Sequence, residues 1–481
     1  MLQEEKGVKR PREDHPPLVV DLDGTLIHSD LLWETLVLFL RRHFLRAWLL
    51  PFWLFKGKAG FKEQLAREVE LDVAALPYDK ALLSLIRAER DDGRAIVLAT
   101  GAQRRLADQV AAHTALFDLV LATESINLTS HNKAERLAAL YGAQGYDYIG
   151  NSRADLPVWL GSRTAYCVAG KEYVLADGRS TTQVGSTRGG AARALFKALR
   201  PRQWLKNLLV FLPMLAAHAL NADMLAMSLL AFAVFSACAS SAYLLNDALD
   251  AQDDRLHPTK HKRPIAAGAL PLPLALVASP LLALAALAVC AAIKPFLLLP
   301  LGVYFVATLA YSVYLKRLLM VDIVTLALLY CLRVLGGCAA TGIAPSFWLL
   351  AFSFFIFLSL ALLKRHSELF NLHRDGKEKT RGRGYTTADK TPVGIMGINA
   401  AFVSVLVFML YFNSQNVVQM YRHPDWLFGI VPLLVFWLGR LWALSFRGQV
   451  NEDPVLYVSR DKVSLAVLAL CAALVVAAAG W

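Results

Sequence analysis

The second half of this chain leaves few folds open to it. From about residue 204 to the C-terminus the sequence is a succession of apolar runs, roughly 204–220, 224–245, 271–293, 295–314, 319–341, 346–363, 393–413, 425–444 and 462–480. Runs of that length match the hydrocarbon thickness of a bilayer. A backbone in lipid must satisfy its own hydrogen bonds, so each run reads as a membrane-spanning helix. Nine spans are expected; the first is the weakest, being short and interrupted by Pro213. Before about residue 190 the sequence is mixed and charged. The chain therefore reads as a soluble unit followed by an all-α, polytopic membrane unit.

Hydrophobic residues make up 56% of the chain, mean hydropathy is +0.43, and the formal net charge is +12. The positive charge does not imply nucleic acid, because the basic residues concentrate in the loops between apolar runs. One side carries Arg255, Lys260, Lys262 and Arg263, then Lys316 and Arg317, then Lys364, Arg365, Arg374, Lys377, Lys379, Arg381, Arg383 and Lys390, then Arg447, Arg460 and Lys462. The other side carries only Lys294 and Arg422. The heavily basic side is the cytoplasmic one. This predicts a multi-pass protein of the cytoplasmic membrane, with the soluble half inside and the C-terminus, after an odd number of spans, outside. The cysteines are Cys167, Cys238, Cys290, Cys331, Cys338 and Cys471. They form no C-x-x-C pair and imply neither a disulfide nor a zinc framework. Residues 1–16 are polar and Pro-containing, read as a disordered tail without a signal peptide.

Chemistry is densest just after the second apolar run, at Asn246-Asp247-Ala248-Leu249-Asp250-Ala251-Gln252-Asp253-Asp254. Carboxylates at a bilayer surface are costly and mark function. On a continuous helix Asp247, Asp250 and Asp254 share one face. Like charges repel a phosphate, but together they can hold Mg²⁺, which bridges to a diphosphate. The cations Arg255, Lys260 and Arg263 follow at once.

The form N-D-x-x-D-x-x-x-D, its place after the second span and the span count resemble the UbiA superfamily of intramembrane prenyltransferases, over about 204–481. Most members carry a second aspartate-rich motif near the sixth helix, which is missing here. The loop after the sixth run reads Lys364-Arg365-His366-Ser367-Glu368-Leu369, and the loop after the fourth reads Tyr311-Ser312-Val313-Tyr314-Leu315-Lys316. In this respect, and in Arg200-Pro201-Arg202-Gln203-Trp204-Leu205-Lys206-Asn207 and Leu332-Arg333-Val334-Leu335-Gly336-Gly337, the chain resembles the decaprenyl-phosphate phosphoribosyltransferases. That resemblance implies transfer of 5-phosphoribose from phosphoribosyl pyrophosphate to a polyprenyl phosphate. Asn246, Arg202, Lys206, Tyr311, Lys316, Arg333, Lys364 and Arg365 are then candidate substrate-binding groups, since the remaining phosphates want cations. Arg333 stands out because it lies inside a span.

In the soluble half, the short β-branched strand Leu18-Val19-Val20 runs into Asp21-Leu22-Asp23-Gly24-Thr25-Leu26. A second strand, Ala95 to Ala99, ends in Thr100-Gly101. Lys133 opens a later helix. A third strand, Tyr146 to Ile149, ends in Gly150-Asn151-Ser152-Arg153-Ala154-Asp155. Alternating strands and helices imply a doubly wound, mostly parallel α/β sheet, with ligands at the strand C-termini. The four segments, in order, resemble the haloacid-dehalogenase phosphohydrolases. The resemblance assigns Asp21 as nucleophile, Asp23 as general acid and base, Thr100 and Lys133 as phosphoryl-binding groups, and Asp21, Asp23, Asn151 and Asp155 as Mg²⁺ ligands. Asn151 departs from the family, where aspartate is common. Residues 31–78 fill the position of a helical cap. Their apolar stretch Leu31 to Phe55 is interrupted by Arg41, Arg42, Arg46 and Lys56 and suits an interfacial helix pair.

The division expected is a phosphohydrolase-like domain over 17–177, a linker with an interfacial helix over 178–203, and the transferase over 204–481. The function expected is phosphoribosyl transfer coupled to a phosphatase, with one Mg²⁺ in each domain and no nucleic-acid partner. Oligomeric state stays open. An aromatic prenyltransferase, or a lipid-binding scaffold with an inactive phosphatase fold, are the alternatives.

Overall fold

In the computed structural model the described residues are 15–124, 127–168, 170, 172–186, 189–378, 383–412, 414, 417, 420–450 and 453–480. Most of the expected tail, and Lys379 and Arg381 of the basic loop, lie outside them. The chain divides into two compact units: residues 1–199 with 243–279, and residues 200–242 with 280–481. The aspartate-rich segment thus groups with the soluble domain.

The first unit is built on a six-stranded sheet of order β3-β2-β1-β4-β5-β6, parallel throughout. The strands are β1 (Leu18–Val20), β2 (Ile96–Gln103), β3 (Leu119–Thr123), β4 (Asp147–Gly150), β5 (Ala165–Cys167) and β6 (Thr182–Gln183). Side chains alternate across a strand. Leu18 and Val20 therefore enter one buried cluster with Phe39 and Leu98, and Val19 enters the opposite one with Tyr148 and Trp159. Burial on both faces is what a central parallel strand requires. The cap begins with helix α1 (Leu31–Arg42), started by the Asp30 side chain on the Leu32 amide. Phe39 and Trp53 of the cap are buried, whereas Phe44, Leu45, Trp48, Phe52, Leu54 and Phe55 are exposed.

One expectation fails in this unit. The expected linker over 178–203, rich in Gly, Ser and Thr at its start, contains β6, and Asp79 accepts hydrogen bonds there from Ser186 N (2.9 Å) and Ser186 Oγ (2.8 Å). Composition suggested freedom, but edge pairing and one buried carboxylate remove it. Burial would raise the Asp79 carboxyl. Hydrogen bonds from the Leu82 and Ser186 amides, His28 and the Ser186 hydroxyl instead pull it down to about 2. A carboxyl depressed in the folded state stabilises at pH above its unfolded value, and that contribution fades as pH falls from about 4 toward 2. Asp79→Asn is expected to lower hydrogen-exchange protection of the 182–186 amides at pH 7, by about 1–2 kcal/mol in opening free energy. Unchanged protection would refute the anchoring role.

In the second unit and its connection, eight helices are long and apolar enough to cross a membrane: Ala222–Leu249, Leu272–Ile293, Pro295–Val313, Val321–Thr341, Phe347–Arg374, Thr387–Phe412, Pro424–Phe446 and Lys462–Ala479. Eight of the nine expected spans are therefore found as long apolar helices among the described residues. The first expected span is instead a 3₁₀ helix, Pro201–Phe211, followed by a short α-helix, Leu212–Ala216. The two loops expected after the fourth and sixth runs are also largely helical. Phe347–Arg374 carries Lys364 to Leu369 inside it, and Tyr311 and Ser312 lie within the helix that ends at Val313. Hydropathy marks where the membrane ends, not where a helix does. Nothing between Ser346, which caps the start, and Gly376, at positive φ, breaks the Phe347–Arg374 helix. Gly336 and Gly337 serve close packing. A Cβ at Gly336 would strike the Phe235 ring, and one at Gly337 would strike the Val210 carbonyl.

Candidate active sites

In the soluble domain β1, β2 and β4 end side by side, and so bring Asp21, Thr100 and Asn151 to one edge. Lys133 Nζ donates to Asp21 Oδ1 at 2.7 Å and to the Tyr148 hydroxyl at 3.0 Å. Thr25 Oγ1 donates to Asp21 Oδ2 at 3.3 Å. Burial pushes the Asp21 carboxyl up to about 6, against the pull of the Lys133 ammonium. Burial, reinforced by Asp30, raises Asp23 well above the ordinary carboxylate range. A shift toward the protonated form is in the direction a general acid needs. Thr100 is buried, and its hydroxyl accepts from the Ala102 amide (3.0 Å).

The expected Mg²⁺ set is only partly arranged for metal. Asp155 Oδ1 accepts from Tyr148 (2.8 Å). Its Oδ2 accepts from the amides of Asn151 (3.0 Å) and Ser152 (3.1 Å) and from the Ser152 hydroxyl (3.3 Å). Asp155 therefore anchors its loop. The Asn151 amide nitrogen donates to the Asp23 carbonyl (3.3 Å), which the resemblance had given to the metal. As arranged, these four residues do not make the predicted cation site. Two residues were missed: Tyr148, which links Lys133 to Asp155, and Lys62 of the cap. Lys62 Nζ donates to Gly101 O (2.5 Å) and Asn127 Oδ1 (2.9 Å). A tyrosine in a strand and a lysine in a cap carry no sequence signal of this use.

At the aspartate-rich segment the helix breaks. Ala222–Leu249 ends one residue before Asp250, and Ala251–Arg255 forms a separate turn. The i→i+4 amide bonds Asp250→Asn246 and Asp254→Asp250 (both 2.9 Å) persist across the break. As arranged, the three carboxylates are divided between two arginines. Arg263 Nη1 reaches Asp247 (3.1 Å) and Asp254 (2.5 Å), while Asp250 lies 3.7 Å from Arg41 of α1. Lys260 is 4.0 Å from Asp254, and Asn246 is half-buried. Among the described residues no three His, Cys, Asp or Glu side chains converge as a metal group. Asp247 and Asp254 are nevertheless buried and share one cation, and burial raises the Asp254 carboxyl despite Arg263. Hard oxygens converging on a positive charge fit Mg²⁺.

In the membrane unit Arg333 is buried, and every partner recorded for it is neutral. It donates to Asn207 Oδ1 (2.8 Å), Leu329 O (2.6 Å) and the Tyr304 hydroxyl (2.9 Å), and lies over the Tyr304 and Tyr330 rings. Lys206 also lies over the Tyr330 ring, 5.8 Å from its centroid. Lys206 (2.7 Å) and Lys364 (3.4 Å) share one oxygen of Asp453, whose carboxyl they hold well below its usual value although burial opposes this. These residues line one cavity with Leu326, Leu360 and Pro454. Arg365, expected in a loop, is fully buried and pairs with Asp322 (2.5 Å) and Glu368; Asp322 also accepts from Tyr385 (2.5 Å). Arg365 is therefore committed to an internal ion pair. Arg202 is exposed, and Tyr311 and Lys316 are half-buried. Arg333→Ala would strand the Asn207 and Tyr304 polar atoms, and is expected to cost about 2–4 kcal/mol of stability and to slow turnover. A melting temperature and rate equal to wild type would exclude that role.

Residues 207–458 match the UbiA prenyltransferase family, and residues 18–159 match the haloacid dehalogenase-like hydrolases. The uncharacterized protein y4nM of Sinorhizobium fredii is 33% identical over 467 residues, covering 95% of this chain and 90% of that protein. The nodulation protein NoeC of Azorhizobium caulinodans is 33% identical over 56% of this chain and 88% of its own length. The decaprenyl-phosphate phosphoribosyltransferase of Mycolicibacterium smegmatis is 33% identical over 276 residues, 56% of this chain and 87% of that enzyme. With seven of the eight apolar helices inside the family segment and a parallel α/β sheet before it, the chain is a multi-pass membrane enzyme that belongs to the UbiA prenyltransferase family, fused to an N-terminal haloacid dehalogenase-like domain.

Proposed function

We propose that the membrane domain transfers 5-phosphoribose from phosphoribosyl pyrophosphate to a polyprenyl phosphate, and that the soluble domain then removes a phosphate from the product. The observation that carries the first part is the charge balance of the membrane cavity. Lys206 and Lys364 line it with Tyr330 and Asp453, and Arg333 lies over the Tyr330 ring. Two lysines on one carboxylate, among the described lining residues, suit a phosphate-bearing acceptor, whereas an aromatic acceptor needs no cation. The relative named decaprenyl-phosphate phosphoribosyltransferase supports the same transferred group and class of acceptor.

The acceptor phosphate oxygen would attack C1 of the ribose as the C1–O bond to diphosphate breaks. Lys206 and Lys364 would exchange Asp453 for the acceptor phosphate, and Arg333 would hold Asn207, Tyr304 and the positive field in place. Asp247, Asp250 and Asp254 would hold Mg²⁺, which neutralises the departing diphosphate. In the soluble domain Asp21, oriented by Lys133, would attack phosphorus, and Asp23, whose buried carboxyl is shifted toward its protonated form, would give the leaving oxygen a proton.

The same proposal includes a ninth crossing. Trp204, Asn207 and Met214 contact Ser240, Ser236 and Ser228 in turn, so the segment runs antiparallel to the Ala222–Leu249 helix. Eleven 3₁₀ residues at about 2.0 Å each and five α-helical ones at about 1.5 Å reach roughly 30 Å, the hydrocarbon thickness. The soluble domain then lies on the basic, cytoplasmic side, and the C-terminus lies opposite. The exposed aromatic tip of the cap would rest in the interface, near a lipid-linked phosphate.

The test is incubation of the purified chain with labelled phosphoribosyl pyrophosphate and polyprenyl phosphate. Label should pass into a lipid-soluble product. Reaction of a prenyl diphosphate with an aromatic acceptor, without transfer from phosphoribosyl pyrophosphate, would overturn the reading.

A further inference from the structure

Helix α1 belongs to the soluble domain, yet one of its faces is given to the aspartate-rich segment. Glu34 and Arg41 are seven residues apart, two helical turns, and so share a side. Leu31, Leu38 and Phe39 turn to the domain core. Glu34 grips Arg255, the residue directly after the motif, through both nitrogens of the fork (2.5 and 3.1 Å), and Arg255 Nε donates to Ala266 O (3.0 Å). The two side chains are 2% and 7% exposed. Gly268 then seats against His28, which a Cβ would strike. The loop from 255 to 268 is thus fixed to the start of α1. At the other end of the helix, Arg41 meets Asp253 (2.5 Å) and Asp250 (3.7 Å).

Every motif carboxylate therefore faces a guanidinium, and the one facing Asp250 comes from outside the membrane domain. We infer that α1 completes the diphosphate end of the transferase site: Arg41 binds the diphosphate and Glu34 is a positioning residue that aims Arg255. Asp253 is 66% exposed, and an ion pair that open to solvent holds its arginine weakly. An incoming metal-bound diphosphate on Asp250 offers the same guanidinium a bidentate, doubly charged partner. Glu34 with Arg255, by contrast, is buried and forked, which suits a fixed strut. Arg41 is thus assigned to holding the diphosphate alone. The expected signature is on binding, not on the chemical step.

The inference rests on reading the acid motif as a diphosphate site, and the experiment separates the two. The full chain in detergent with Mg²⁺ is titrated with inorganic diphosphate by calorimetry. Arg41→Ala is expected to weaken binding about tenfold, and Glu34→Gln several-fold. Arg41→Lys keeps the charge but loses the fork; it should lose about threefold and decides the matter if the alanine variant fails to fold. In turnover, KM for the diphosphate donor should rise in Arg41→Ala, with kcat and the KM of the lipid acceptor unchanged. Wild-type diphosphate affinity in folded Arg41→Ala and Arg41→Lys overturns the role of α1. Diphosphate binding that responds to Arg41, in a chain that does not use phosphoribosyl pyrophosphate, overturns the donor proposed above and leaves this inference standing.

Discussion

Asp247→Ala and Asp250→Ala should each reduce transfer by on the order of a thousandfold or more, with the fold retained. A carboxylate that holds the metal on a leaving diphosphate acts in the transition state, where its removal is felt in full. Folding has less at stake. Asp247 is one of two carboxylates on Arg263, and Asp254 remains within 2.5 Å of that arginine when Asp247 is gone. Asp250 is only 3.7 Å from its nearest recorded cation. The measurement is the rate of label transfer into lipid, alongside the melting temperature in detergent. Rates near wild type in both variants would remove the proposed site.

Asp21→Asn should abolish the second activity while transfer continues. The nucleophile is lost, but the amide keeps the shape and can still accept from Lys133, now 2.7 Å from Asp21 Oδ1. The proposed transfer would leave a 5-phosphate on the lipid-linked sugar. Wild type should therefore yield lipid-linked ribose, and the variant should accumulate lipid-linked phosphoribose, with hydrolysis down by roughly a thousandfold. Thin-layer separation of the labelled lipids before and after alkaline phosphatase treatment distinguishes the two. Identical profiles would mean that this domain acts on another substrate or serves as a scaffold. The commitment of Asp155 to Tyr148, Asn151 and Ser152 makes this a demanding test.

What could be read from sequence was local. Eight apolar runs became helices because length and hydropathy decide a span without reference to its neighbours. Val19 and its flanking residues became a central strand, and the segments carrying Asp21, Thr100, Lys133 and Asp155 fell where the motif order put them. Arg333 was singled out because a charge within a span must find polar company, and it has Asn207 and Tyr304. The errors were also local rules, applied past their range. A polar run was taken for the end of a helix at Lys364, and a Gly/Ser/Thr-rich stretch for a linker at β6.

The sequence by itself determined the two-part organisation, the spans but for the first, and the identity of both acid motifs, since each depends on residues within a few turns of one another. Only the tertiary structure decided which charges meet. Glu34 pairs with Arg255 across 221 positions, and Lys206 with Asp453 across 247. It also decided that Arg365 is spent on Asp322 and that Asp155 ties down its own loop. Spacing along a helix or strand leaves a periodic trace. A contact between distant segments is set by how whole elements pack, and a lone Glu, Lys or Asp looks the same in the sequence whether it is solvated, paired or catalytic.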